Sequence, residues 1–312
     1  MTLIAVASLV LTVLAGSGTD REYAGGRTDT TFAVKAGARL ELDDFGGEIA
    51  VRAWAKDAVR IEASHSRRVW IEVEHSDGSI KIGARSRHGV PASVEYRLSV
   101  PAWMPLDLSG ISTEISVEGT KGEIKAQTVH GDVRVRGGAG FVSLESVDGE
   151  VSLVGARGRI ELGSVNQGVR VSDVVGEVSA DAVNGDILLD HIDSKSVEAS
   201  TVNGDLYCDG DLKEGGVYSF STHNGDIVVG LPEHPDVAVS VSTFSGSFSS
   251  SIPIQLRETR RGKNFSFVLG AGSARLELES FQGAIRLVRH GEAAKGQVEK
   301  AKSEGHEHEE DH

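Results

Sequence analysis

The sequence is short of cysteine, with one residue in 312, of proline, with six, and of aromatic side chains, at 5%. A lone Cys208 has no internal partner, so the fold is expected to stand on packing and hydrogen bonds rather than on disulfides. Proline is missing altogether between Pro105 and Pro232, as an array of hydrogen-bonded strands requires, and it reappears on both sides. With few rings available, the core has to be assembled from small branched aliphatics. Basic charge is also in deficit: 32 Lys and Arg against 46 Asp and Glu leave a net charge of −14. That balance argues against nucleic acid or an anionic membrane as partner, since either rewards a basic face.

Long apolar runs are scarce too, and the one that stands out opens the chain. Leu3 to Ala15 is broken only by Ser8 and Thr12. Its length falls short of the roughly 20 residues that a spanning helix needs. Val13-Leu14-Ala15 offers small or β-branched residues where a signal peptidase prefers them, although no Lys or Arg precedes the run. Residues 1–19 are therefore expected to be an export signal. The mature chain, without a stable membrane span, is expected in the periplasm or at the cell surface.

Glycine, by contrast, is plentiful at 38 residues, alongside abundant Val, Ile and Ser. That bias favours strands joined by tight turns. The glycines also fall in register: Gly122, Gly131, Gly140, Gly149 and Gly158 are nine residues apart, and the series continues through Gln167, Gly176, Gly185 and Ser194. Two residues beyond the first eight slots stand Ile124, Val133, Val142, Val151, Ile160, Val169, Val178 and Ile187, all β-branched. Four beyond stand Ala126, Val135, Leu144, Leu153, Leu162, Val171, Ala180 and Leu189; seven beyond, the series runs from Val129 to Ile192 and is again apolar. Positions two and four share one face of a strand, so each unit offers an inward pair between polar residues, as in Asp132-Val133-Arg134-Val135.

Alternate slots differ, which makes the true period eighteen. Val129-His130-Gly131-Asp132, Val147-Asp148-Gly149-Glu150 and Val183-Asn184-Gly185-Asp186 share a fuller signature than the slots between them. The expectation is an all-β, β-solenoid or β-helix-like stack of ~18-residue coils with two strands each, rising roughly 4.8 Å per coil. Positive φ is expected of the corner glycines. The period loosens at Val202-Asn203-Gly204-Asp205 and His223-Asn224-Gly225-Asp226, and Phe244-Ser245-Gly246 and Phe281-Gln282-Gly283 read as degenerate terminal copies.

Both flanks alternate as strands, including Thr31–Val34, Leu40–Leu42, Ile49–Val51, Val59–Ala63, Trp70–Val73, Ile80–Ile82 and Val94–Val100. The organisation expected is a β-rich capping region over 28–105, with irregular antiparallel segments, then solenoid repeats over 106–230. C-terminal repeats or a cap follow over 231–290, and a disordered His/Glu-rich tail over 291–312.

These residues support a resemblance. Leu40-Glu41-Leu42, Phe45-Gly46-Gly47-Glu48-Ile49-Ala50-Val51 and Trp54 come first; Tyr96-Arg97-Leu98-Ser99-Val100-Pro101, the Asn-Gly-Asp corners, Leu269-Gly270-Ala271-Gly272 and Phe281-Gln282-Gly283 follow in order. In that order they resemble the bacterial DUF4097 family of adhesin-like β-strand-repeat proteins, related to autotransporter adhesin head domains, over roughly residues 30 to 290. The resemblance implies an exported β-solenoid-like protein without established enzymatic activity, and it brings no catalytic residues.

Four constellations carry chemistry on paper. Asp132, Glu150, Glu177, Asp186, Asp205 and Asp226 each follow a corner glycine. Stacked carboxylates can collect calcium, but the interruptions at Phe141, Arg159, Gly168 and Lys195 favour a solvated face. Asn184, Asn203 and Asn224 form an amide series that suits a tight corner better than a ligand site. His306, His308 and His312, mixed with carboxylates, are the candidate metal ligands, while His130 and His223 stand in for Asn or Asp at corners. Cys208 falls on an inward position and reads as a buried, inert thiol.

No cofactor is expected. The leading reading is a non-catalytic envelope or surface scaffold that binds an envelope protein or glycan, or senses envelope state. One alternative is a polysaccharide-active β-helix enzyme, for which the repeat is poor in rings: from Gly122 to Asp226 there are only Phe141, Tyr207, Tyr218 and Phe220. Another is weak metal binding through the tail.

Overall fold

The structure, a computed structural model, describes residues 25–76, 78–87, 89–254 and 264–292. The expected export signal and the tail histidines His306, His308 and His312 lie outside the described residues. Every named element is a β-strand, and no described helix is long and apolar enough to cross a membrane. The chain divides into two compact units, residues 1–146 and 147–312.

The first unit holds β1 (Gly26–Ala33), β2 (Arg39–Trp54), β3 (Ala58–His65), β4 (Val69–His75), β5 (Ser79–Ser86), β6 (Val94–Pro101), β7 (Leu106–Thr120), β8 (Ile124–Thr128), β9 (Val133–Gly137) and β10 (Ala139–Ser146). The eighteen-residue coil is plain in its pairing. Leu106 lies beside Ile124 and Ile124 beside Val142 on one face, while Ile115 lies beside Val133 on the other, all parallel. The parallel rungs also begin before residue 106. β2 is a full rung that turns from one face to the other: Leu40 pairs with both Ile80 and Leu106, and Ile49 with both Tyr96 and Ile115. The flank is therefore more regular than its sequence suggests, and only β1, β3 and β4 run antiparallel.

The second unit holds β11 (Val151–Val154), β12 (Arg157–Ser164), β13 (Val169–Ala182), β14 (Ile187–Asp193), β15 (Ser196–Asn203), β16 (Leu206–Asp209), β17 (Val217–Asn224), β18 (Ile227–Leu231), β19 (Val237–Thr243), β20 (Ser247–Ser250), β21 (Asn264–Leu269), β22 (Ala274–Gln282) and β23 (Ala284–Arg289). One face runs Val151, Val169, Ile187, Leu206, Ile227, Ile285, Phe248; the other runs Ile160, Val178, Val197, Tyr218, Leu276, Val239. The later rungs keep this register while their loops absorb the residues added to the period. Here too the last rungs leave chain order, with β22 and β23 lying between β17/β18 and β19/β20.

The repeat pattern explains the core. All sixteen residues at positions two and four are 3% exposed or less. Burying such a Val, Ile or Leu side chain contributes about 1.5–3 kcal/mol. A stack of such rungs would leave its last apolar layer open to water. In the second unit Phe265 and Phe267 of antiparallel β21 pair with Val241 and Val239, and Phe248 lies 5.0 Å from Phe265, so three rings close that layer.

Candidate functional site

The nine-residue spacing conceals two unlike corners. At one of them position seven is interior, where Ala156 and Val174 are 0% exposed and Ile192 is 4%. At the other, Val147, Val165, Val183 and Val202 of the second unit are 38–43% exposed, one side chain per rung, and Val129 at the same kind of corner in the first unit is 38% exposed. A polar column flanks this ridge. In the second unit Asn224 Nδ2 donates to Asn203 Oδ1 at 2.8 Å, Asn203 to Asn184 at 2.9 Å and Asn184 to Asn166 at 3.1 Å, and Asn166 donates to Asp148. The amides thus satisfy one another along the stack.

Two further columns hold this corner together, and of these the hydroxyl column was not read from the sequence. Buried hydroxyls donate to the carbonyl of a corner residue on the preceding rung: Thr201 to Gly185 at 2.9 Å, Thr222 to Gly204 at 3.0 Å and Ser164 to Gly149 at 3.0 Å. The signal available was the Ser or Thr three residues before most corner glycines. The acidic column acts outside. Asp186 Oδ1 accepts the backbone N–H of Asp205, Asp205 Oδ1 that of Asp226, and Asp226 Oδ1 that of Ala284, at 2.7–2.8 Å. Asp226 also pairs with Arg286, Asp132 with Arg134, and Glu150 with Arg170. Glu177 belongs to the other corner, beside Arg159. Asp186, Asp205, Asp226 and Glu150 tie rung to rung, whereas the Asp132 pair stays within one rung, and among the described residues no three His, Cys, Asp or Glu side chains are grouped to hold a metal ion.

The corner glycines differ from the expectation. Gly131, Gly140, Gly158 and Gly176 do take positive φ, but Gly185, Gly204 and Gly225 do not. Those three are required by close approach, since a Cβ on Gly204 would lie 2.1 Å from the carbonyl oxygen of Gly185. Left-handed backbone is instead concentrated at the other kind of corner, at Gly119 and Gly137 in the first unit and at Gly155, Asp173 and His191 in the second, spaced by eighteen residues.

Several other titratable groups have structural partners or are buried. His191 Nδ1 lies 2.9 Å from Asp190, whose carboxylate raises its pKa, and His290 Nδ1 lies 2.6 Å from buried Asp209. Burial, followed by the charges of Asp209 and Asp190, pushes the Cys208 thiol up to about 12, which removes the thiolate a nucleophile needs. In the first unit Asp44 sits inward on β2, 5% exposed. Burial lifts its carboxyl to about 6, against partial relief from Thr113 and the Phe45 and Gly46 amides.

The ridge ends in rings. In the pairing register, His223, Phe281 and Phe244 continue the column of Val202. His223 stacks on Phe281 at 4.6 Å and 7°, and Phe281 on Phe244 at 4.7 Å and 2°. Phe244, 70% exposed, is the end of this stack. Beside it lies a cleft of about 410 Å³ lined by Ser242, Thr243, Phe244, Asn264, Glu279, Ser280 and Phe281. Asn264 Oδ1 accepts from Ser242 at 3.0 Å, and Glu279 has no hydrogen-bond or ion-pair partner among the described residues.

Comparison with known proteins places this architecture. No curated protein matches the chain. A solved structure of a proposed adhesin from Bacteroides fragilis is 13% identical, with 84% of this chain and 97% of that one covered and a TM-score of 0.44. A proposed lipid-binding protein from Parabacteroides distasonis is 11% identical, with coverage of 85% and 98% and a TM-score of 0.44. A proposed adhesin from Parabacteroides merdae is 8% identical over 85% and 98%, with a TM-score of 0.40. The family model described as Toastrack DUF4097 matches residues 38–287, and the chain belongs to that family.

Proposed function

We propose that this protein is a non-catalytic, exported scaffold of the cell envelope or surface that binds its partner along the exposed corner ridge. The observation that carries the reading is the regularity of that ridge: Val147, Val165, Val183 and Val202 stand exposed on successive rungs beside the amide column. Apolar side chains held in a row on rigid backbone need little ordering when a partner docks, which favours binding. The groups that catalysis would recruit are otherwise engaged, with Asp186, Asp205 and Asp226 holding backbone amides and Cys208 buried.

Retention of a partner from envelope fractions on immobilised chain lacking residues 1–19 tests the reading. Val165, Val183 and Val202 replaced together by Ser should lower recovery of a stoichiometric partner about tenfold or more. Equal recovery by both proteins, at matched circular dichroism, refutes the ridge as the binding surface.

A further inference from the structure

The end of the ridge differs from the rest in chemistry. The valine corners offer apolar contact beside amides that satisfy one another, whereas the terminal cleft combines a ring face, a carboxylate without a partner among the described residues, an amide and hydroxyls. Phe244 is held parallel to Phe281 and His223 by the rung spacing, so its outer face keeps its orientation when a ligand arrives. Ser242 donates to the oxygen of Asn264, which leaves the Asn264 amino group to donate elsewhere. Glu279 can only accept, and two carboxylate oxygens suit two adjacent hydroxyls. At about 410 Å³ the cleft is within the range of small-ligand sites.

We propose that this cleft binds a pyranose ring of a neutral glycan, with the C–H face of the sugar on Phe244, vicinal hydroxyls on Glu279, and a further hydroxyl oxygen accepting from Asn264. The inference rests on the reading of the chain as a binding scaffold and names a ligand for one end of it. Charge selects among glycans: Glu279, without a hydrogen-bond or ion-pair partner among the described residues, opposes uronic-acid or phosphorylated chains. A sugar also fits the mixture of groups better than an apolar chain does, because an apolar ligand would bury Glu279 and Asn264 without partners.

Saturation-transfer NMR and calorimetry on the full chain, using cellotetraose, chitotetraose and maltotetraose as probes, test this. At least one tetrasaccharide should bind, with transfer strongest at its ring C–H protons. Phe244→Ala and Glu279→Gln should each weaken it about tenfold, since a hydrogen bond to a charged group contributes about 1.5–3 kcal/mol. Trp70→Ala, an exposed ring outside the cleft, should leave binding unchanged. Absence of transfer to all three probes, or binding that Phe244→Ala leaves intact, overturns the glycan site. So does preferential binding of polygalacturonate or tetralysine. None of these outcomes touches the scaffold reading, which is measured by partner retention on the valine ridge. Shortening of a probe during the titration overturns both.

Discussion

Replacing Asp44 by Asn gives a direct test of the interior described for the first unit. Asp44 is 5% exposed, and among the described residues Oδ1 has no hydrogen-bond partner while Oδ2 accepts from Thr113 at 3.0 Å. Its carboxyl is raised from 3.8 to about 6, chiefly by burial. The sign follows from which state holds the proton more tightly. Below pH 3.8 the group is neutral whether folded or unfolded. Between there and about 6 the folded state keeps a proton that the unfolded chain has released, so stability falls as pH rises through this window. Above it both states are ionised and the folded state carries the whole penalty, about 3 kcal/mol as a ceiling at about 1.4 kcal/mol per pH unit. Asp44→Asn should therefore stabilise the first unit at pH 7.5 by up to about 2–3 kcal/mol and have little effect near pH 4. Urea titrations followed by tryptophan fluorescence read that unit alone, because Trp54, Trp70 and Trp103 all precede residue 147. A difference between the two proteins that stays constant from pH 4 to 7.5 refutes the argument.

Three further outcomes follow from the corners and the core. Gly204→Ala should destabilise by about 3 kcal/mol or more, because the clash is with backbone, whereas Gly83→Ala, with open space around it, should stay within about 0.5 kcal/mol; thermal melts by circular dichroism distinguish them. Cys208 should resist iodoacetamide at pH 8 in the folded protein and react when urea opens the chain, and rapid labelling of the native state would contradict its buried, high-pKa thiol. Amide hydrogen exchange should find Ile49 and Val51 of β2 as protected as Ile115 and Val117 of β7, and a gradient of fraying from β7 back to β2 would contradict the pairing of β2 on both edges.

The stack itself was legible because its physics is local. A Gly, an inward pair and a polar outer residue recur every nine residues, and each inward pair is buried. That the corners alternate was legible in the eighteen-residue signature, but which of them faces water was not, since Val129 and Val174 occupy the same position in the nine-residue pattern yet one is 38% exposed and the other 0%. Only the three-dimensional turn decides which of them faces the interior. Close approach was equally hidden: Gly185 and Gly204 look like turn glycines in sequence, and their need arises from a neighbour eighteen or nineteen residues away. The cleft left one signal, five of the nine phenylalanines lying at 244–281. What distinguishes Phe244 and Phe281, on the outer ridge, from Phe248, Phe265 and Phe267, on the interior face, is register: Phe244 aligns with Phe281 just beyond the paired strands, whereas Phe265 and Phe267 pair with buried Val241 and Val239.

That insertion also answers a problem that the repeat creates. In a simple coil array the last rung touches one neighbour, so it has half the contacts of an inner rung and opens first. In the first unit the rung that starts the chain order, β2, is enclosed by β5/β6 on one side and β7 on the other, so it cannot leave without separating two sets of parallel pairs. The second unit encloses β22/β23 between β17/β18 and β19/β20 in the same way. The cost is entropic: Leu40 must find Leu106 across a long loop, so this rung forms late. In return, the rungs left outermost are held by the chain on both sides of the enclosed rung. The remaining edges of β5, β6 and β19 meet antiparallel β4, β3 and β21, which blunts pairing with other molecules there. The terminal cleft depends on this arrangement, because Phe281 comes from the enclosed rung and Phe244 from the one outside it, and the reversed order in space is what leaves Phe244 rather than Phe281 as the exposed end of the stack.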